Sequence, residues 1–185
     1  MIQLNDLIQT YDNVLEDNVC DFLINFFESN QDLQESVNNN GRPNFTQLNL
    51  TENFKLFEEL NNIHNYIISK TFEYKKKYYE FIDDRCFPEK HNFEQFRIKK
   101  YRNNGEELFD THVDVLDYDT ARRFLSFTYY LNTVEQGGET SFVDFRVSPK
   151  KGSLLLFPPL WMFPHKGEIP VSNDKYILTG YLHYR

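Results

Sequence analysis

"RFLSFTYYLN", residues 123–132, places Leu125, Phe127, Tyr129 and Leu131 at every second position, with Ser126, Thr128, Tyr130 and Asn132 between them. Alternate side chains of an extended chain point to opposite sides, so this run predicts a β-strand with one face in a core and the other carrying hydroxyls. Two further runs repeat the pattern. In "EQFRIKKY", 94–101, Gln95, Arg97, Lys99 and Tyr101 oppose Phe96, Ile98 and Lys100. In "DKYILTGYLHYR", 174–185, Lys175, Ile177, Thr179, Tyr181 and His183 oppose Tyr176, Leu178, Gly180, Leu182 and Tyr184. The polar faces suit solvent, and they equally suit the wall of a small barrel that holds a polar ligand.

The whole stretch from about residue 93 consists of short β-rich runs divided by Gly, Pro and Asn. Upstream the texture is helical. "LEDNVCDFLINFFESN", 15–30, carries Val19, Phe22, Leu23, Phe26 and Phe27 at helical spacing behind Asp17 or Asn18 as a cap. "TENFKLFEELNNIHNYIISKTFEYKKKYYEF", 51–81, predicts one longer helix with Thr51, Phe54, Phe57, Leu60, Ile63 and Ile67 on its stripe, and His64 as an ordinary surface or core histidine. "VNNNGRPN", 37–44, reads as a turn-rich link. Helices followed by many strands predict an antiparallel double sheet with helices packed against one face.

The 185 residues, 40% of them hydrophobic and 18 of them Phe, suffice for one domain with an aromatic core. A formal charge of −8 argues against a nucleic-acid partner, because an acidic field repels phosphate. "YKKKYY" and "ARRF" are too short to reverse that. No basic leader precedes an apolar run, and nothing approaches the ~18 apolar residues that cross a bilayer, so a soluble cytoplasmic protein without a membrane partner is expected. Cys20 and Cys86 form no Cys-x-x-Cys and suit a reducing compartment. The many Asn residues fit a phage, virus or low-GC source.

"FDTHVDVLDY", 109–118, holds His112 and Asp114 two positions apart. On a strand they would share a face, which is half a metal site, although a lone His-x-Asp is a weak signal. His165, after the Pro-rich "FPPLWMFPH", could complete two histidines and a carboxylate, the set that holds non-haem Fe(II) and leaves three positions open. Zinc hydrolases share these ligand types. Lys175 opens the polar face of the final strand, where its ammonium could point inward beside Thr179 and Tyr130.

"THVD", "YLNTVEQGGETSF", "VSPKKGSLLLFPP" and "HKGEIPVSNDKYILTGYLHYR" together resemble the 2-oxoglutarate and Fe(II)-dependent dioxygenases of the prolyl 4-hydroxylase type, and "LEDNVCDFLINFF" resembles their helical opening. The resemblance implies a mainly β fold, a double-stranded β-helix (jelly-roll barrel, about 91–185) buttressed by N-terminal helices (about 1–90). It implies His112, Asp114 and His165 as iron ligands and Lys175 as the partner of the distal carboxylate of 2-oxoglutarate. Tyr130 resembles a tyrosine that bonds the same carboxylate, Tyr101 one that lines the co-substrate pocket, and Thr179 a polar neighbour. Gly137 and Gly138 read as a hairpin turn. The implied reaction consumes O2 and converts 2-oxoglutarate to succinate and CO2 while a substrate C–H is hydroxylated, with ascorbate as an accessory reductant.

The expected substrate is a prolyl residue in a peptide or protein. The same chemistry on a free amino acid or other small molecule is the alternative, and a non-catalytic jelly-roll module a third reading. Tyr181 stands where some relatives carry Trp, which bears on proline specificity. Arg97 and Lys99 are possible substrate contacts. The segments 102–110 and 116–123 could close over a bound peptide.

Overall fold

The three alternating runs become neighbouring strands. In chain order the structure, a computed structural model describing residues 2–40 and 42–185, contains β1 (Gln9–Tyr11), α1 (Asp17–Ser29), β2 (Gln34–Asn38), β3 (Asn44–Asn49), α2 (Leu50–Asn53), α3 (Glu58–Ile82) and β4 (His91–Phe93). There follow β5 (Arg97–Tyr101), β6 (Phe109–His112), β7 (Arg123–Tyr130), β8 (Thr140–Ser141), β9 (Arg146–Val147), β10 (Leu154–Phe157), β11 (His165–Gly167) and β12 (Lys175–Tyr184). The larger sheet runs β1-β10-β7-β12-β5-β3-β2, with β4 against the far end of β12, and the smaller runs β6-β11-β8-β9. Their ladders are antiparallel, and the two sheets face each other as a double-stranded β-helix without closing into a barrel. No helix among the described residues is long and apolar enough to cross a membrane.

Helices cover the outer face of the larger sheet. Leu23 and Phe27 of α1 and Leu60 and Ile67 of α3 join Ile98, Leu125, Phe127, Tyr129, Leu178 and Leu182 in one buried cluster. Burial of each such side chain stabilises by about 1.5–3 kcal/mol, so this face carries most of the packing energy. At Gly180 an added Cβ would lie 2.6 Å from Phe127 Cζ, so only glycine lets that ring cross the strand. A polar pair under the helices is satisfied: the Thr71 hydroxyl donates to Ile67 O at 2.8 Å and meets the Tyr129 hydroxyl at 2.9 Å.

Several expectations change. The α1 helix starts after Glu16, without a side-chain cap, because the Glu16 carboxylate accepts from Tyr66 on α3; Asp17 is the first helical residue, where its charge still favours the helix dipole. The second helix is broken. Asn49 caps the short α2 by accepting from Glu52 N at 3.3 Å, a single 3-10 turn follows, and Phe57 is extended and exposed before α3 begins. Thr51 is drawn off the expected stripe to accept from Phe96 N at 2.8 Å, which ties α2 to the strand region. His64 is a core histidine, stacked on Phe54 at 4.5 Å and near Phe96 at 4.9 Å. The first ninety residues also supply β1, β2 and β3, and the Asn-rich link lies between β2 and β3 in a hairpin, with Gly41 outside the described residues.

Candidate functional site

The inner faces of the two sheets enclose a pocket. Register places its first two members: in the β6–β11 ladder His165 lies opposite His112, and their ring centroids are 4.3 Å apart. Asp114 is not on the strand, as the two-residue spacing suggested, but on a bend just beyond β6. The bend turns its carboxylate back between the rings, with Oδ1 3.6 Å from His112 Nε2 and Oδ2 3.5 Å from His165 Nε2. Ligand atoms of the three residues all lie within 4.8 Å of one another, and no other such group occurs among the described residues.

Hydrogen bonds aim these donors. The Nδ1 atoms of His112 and His165 meet the carbonyls of Asp110 at 2.7 Å and Phe163 at 3.0 Å, which makes Nδ1–H the donor and leaves each Nε2 lone pair free. Phe109 stacks on the His112 ring at 3.5 Å. Burial opposes the charge of Asp114, but His112, His165 and the Tyr181 hydroxyl outweigh it and hold the carboxyl at about 2, so it is ionised at neutral pH. Burial pushes His165 down, toward the neutral form a metal requires.

Three residues without an assigned role support Asp114. Tyr181 Oη donates to Asp114 Oδ1 at 2.7 Å, and Arg123 Nη1 donates to the Asp114 carbonyl at 2.7 Å. Arg123 in turn is held by Glu94, with Nε to Oε1 at 3.0 Å and Nη2 to Oε2 at 2.9 Å, and its guanidinium lies 4.1 Å from the Tyr181 ring centroid. Tyr181 could have been found from its place on the polar face of β12; Glu94 and Arg123 gave no local signal.

Lys175 forms the closed end. It is 2% exposed, its Nζ donates to Gly138 O at 2.9 Å and lies 4.5 Å from the Tyr101 ring centroid, and burial pushes its pKa down to about 7. Gly138 therefore touches the site directly, and the two glycines belong to a loop ahead of β8, both with positive φ, rather than to a hairpin turn. A Cβ on Gly167 would stand 3.7 Å from the ammonium, so this glycine keeps the space before it open. Tyr101 lines the pocket and is buried. Thr179 also lines it, but its hydroxyl donates to Phe127 O at 3.0 Å and lies 3.2 Å from that of Thr128. Tyr130 sits behind the wall: its hydroxyl meets Thr140 Oγ1 at 2.7 Å, and Thr140 lines the pocket. The flanking segments are tied down. Thr120 and Asp117 close their own turn, and Arg102 and Asn104 bond the buried Glu107.

Two imidazoles and one carboxylate on one side, with a buried ammonium at the closed end, fit a divalent ion and an acidic co-substrate. The sequence profile of the 2OG-Fe(II) oxygenase superfamily matches residues 96–183, which span every one of these groups. Residues 96–183 are a 2OG-Fe(II) oxygenase domain. Its cofactors are Fe(II) and 2-oxoglutarate, and the enzyme class is dioxygenase. The fold agrees. The viral collagen prolyl hydroxylase of Paramecium Bursaria Chlorella virus-1, solved with 2OG, superposes with a TM-score of 0.73 at 23% identity, over 97% of each chain. A prolyl-4-hydroxylase of Pseudomonas putida gives 0.61 at 16% identity, over 97% of this chain and 93% of the other. A Trichoplax adhaerens prolyl hydroxylase, bound to a hypoxia inducible factor peptide, gives 0.71 at 17%, over 98% and 86%. No curated protein matches the chain in sequence.

Proposed function

We propose that the chain, acting as one domain, hydroxylates prolyl residues of a peptide or protein. His112, Asp114 and His165 hold Fe(II), and Lys175 pairs with the distal carboxylate of 2-oxoglutarate. Bound there, the metal and co-substrate supply the oxidation, in which O2 and 2-oxoglutarate yield succinate and CO2 and one oxygen atom enters a substrate C–H.

The protein's own residues set the stage for it. The Phe163 and Asp110 carbonyls fix both imidazoles, and Tyr181 and Arg123 fix Asp114 from the side and from behind. Tyr101 and Lys175 close the inner end, and Tyr130 orients the Thr140 hydroxyl beside it. Ile177 and Phe157 supply apolar wall and keep water out.

The observation that carries the peptide reading is the exposed apolar turn that follows Asp114. The co-substrate's distal group is taken at the buried Lys175 end, so the substrate meets the metal from the Asp114 end. There the chain leaves directly into the self-closed turn 115–122, which exposes Leu116 and Tyr118. An exposed apolar turn beside an ordered metal site suits an extended chain laid across the surface, and polyproline chain is already stiff before it binds. The three similar structures, each a prolyl hydroxylase, support the same reading. The viral neighbour and the Asn-rich composition support a viral or phage source.

Iron-loaded protein, 2-oxoglutarate, ascorbate and a panel of proline-containing peptides of varied charge provide the test. Gain of one oxygen on proline, with equal succinate, is expected. Succinate release stimulated by a free amino acid, without oxygen gain on any peptide, would replace the peptide reading with a small-molecule one.

A further inference from the structure

Lys99 faces the same pocket and has no part in the arrangement above. It lies on β5 beside two satisfied cations: Lys100 Nζ, on the opposite face, pairs with Glu28 at 2.9 Å and Asp174 at 3.3 Å, and Arg97 donates to Gln95 at 2.6 Å. The ammonium of Lys99 meets only aromatic rings, 4.8 Å from the Phe45 centroid and 5.3 Å from Phe109, and has neither a hydrogen bond nor an ion pair among the described residues. A half-buried ammonium on a pocket wall without a hydrogen-bonded carboxylate gains little there in the free protein, since cation–π contacts of this kind return only about 0.5–2 kcal/mol.

Register says where the charge lies. In the β5–β12 ladder Tyr101 is opposite Lys175, Lys99 opposite Ile177, and Arg97 opposite Thr179. Lys99 is therefore one inward-facing position, about 7 Å along the strand, nearer the metal end than Lys175. Phe109, which it overlies, is the ring stacked on His112. The pocket thus presents an ammonium at its closed end and a second midway to the metal donors, against the single carboxylate of Asp114. With a divalent ion added, that is an excess of positive charge a dicarboxylate neutralises.

We propose that Lys99 is a second cation for 2-oxoglutarate, binding the carboxylate next to the keto group while Lys175 binds the distal one. The inference rests on the oxygenase reading of the pocket. Burial holds Lys99 down at about 8, which still leaves it mostly protonated at neutral pH. Anchoring of both carboxylates would fix the co-substrate at two points along the larger sheet, across the pocket from the histidines.

Two keto acids separate the two lysines. 2-Oxovalerate has the keto acid head of 2-oxoglutarate without the distal carboxylate. Each is titrated calorimetrically into Mn(II)-loaded wild type, Lys99→Met, Lys99→Arg and Lys175→Met. Lys99→Met is expected to weaken both keto acids by the same factor, roughly tenfold or more, and Lys175→Met to weaken 2-oxoglutarate alone. Lys99→Arg is expected to recover part of the loss. Without ligand, Lys99→Met is expected to melt at or above the wild-type temperature, since it removes an unpaired cation and keeps the apolar stem; a merely structural lysine would melt lower. Unchanged affinity for both keto acids in Lys99→Met, or a loss confined to 2-oxoglutarate, overturns the proposal. Failure of wild type to bind either keto acid overturns the co-substrate reading itself, and the proposal with it.

Discussion

The two faces of β12 differ by a shift of one residue and do opposite work. Tyr176, Leu178, Gly180 and Leu182 face the helices and lie in the large cluster, or make room for it, while Lys175, Thr179 and Tyr181 face the pocket. The outer face gains stability from burial. The inner face gives some up: desolvation pushes Lys175 down to about 7 and Tyr181 well above its usual range. A buried ammonium whose one hydrogen bond is to a backbone carbonyl, with no carboxylate paired to it among the described residues, marks the inner face as the part shaped for chemistry.

Substitutions on the two faces should therefore separate stability from co-substrate binding. Leu178→Ala, on the outer face, is expected to destabilise the fold by about 2–5 kcal/mol in denaturant titration and to leave the 2-oxoglutarate KM of the folded fraction within about twofold. Lys175→Met, on the inner face, is expected to reverse this: the KM for 2-oxoglutarate rises roughly 30-fold or more, while the melting temperature holds or rises. If both variants merely lower stability, the distinction between the faces is lost.

Smaller effects sharpen the contrast. Tyr181→Phe removes the 2.7 Å hydrogen bond on Asp114 and keeps the ring under Arg123, so metal affinity is expected to fall about tenfold with little change in melting temperature. Equal metal affinity in that variant would assign the support of Asp114 to Arg123 and the histidines alone. pH gives the mildest test. In the ligand-free protein burial pushes the pKa of Lys175 down to about 7, below its unfolded value, and a carboxylate favours the protonated form. Above pH 7 binding must take up a proton, so 2-oxoglutarate affinity is expected to fall as pH rises from 7 to 8, by at most about tenfold, and to fall less steeply in Lys175→Met, where only Lys99, held at about 8, still loses charge. Affinity that rises over this range would mean Lys175 is not the partner.

The same contrast explains what the sequence disclosed. Which residues of β5, β7 and β12 face the core and which face the pocket was legible, because period-two alternation reports face directly. His112, Asp114, His165 and Lys175 were legible through the order of their motifs, and all four line one pocket. The β2–β3 hairpin escaped notice because Gln34, Glu35, Ser36 and Asn38 are poor strand formers, held there by a ladder to β3, itself paired with β5. Glu94 and Arg123 escaped because their partnership spans 29 residues and no local pattern records it. Tyr130 was placed on the correct face, but whether its hydroxyl meets a ligand or Thr140 depends on β8, on the opposite sheet. Contacts between sheets are the part of the site that alternation cannot carry.

The central proposal is that one metal ion is held by His112, Asp114 and His165, which all come from β6, the bend after it and β11 of the smaller sheet. Anaerobic calorimetric titration of Fe(II), in wild type and in His165→Ala, tests it most directly, followed by 2-oxoglutarate on the loaded protein. One ion per chain in wild type, at least about 100-fold weaker binding in His165→Ala, and 2-oxoglutarate binding that depends on the ion are the expected results. Equal Fe(II) binding by wild type and His165→Ala, or full 2-oxoglutarate affinity without metal, would contradict it.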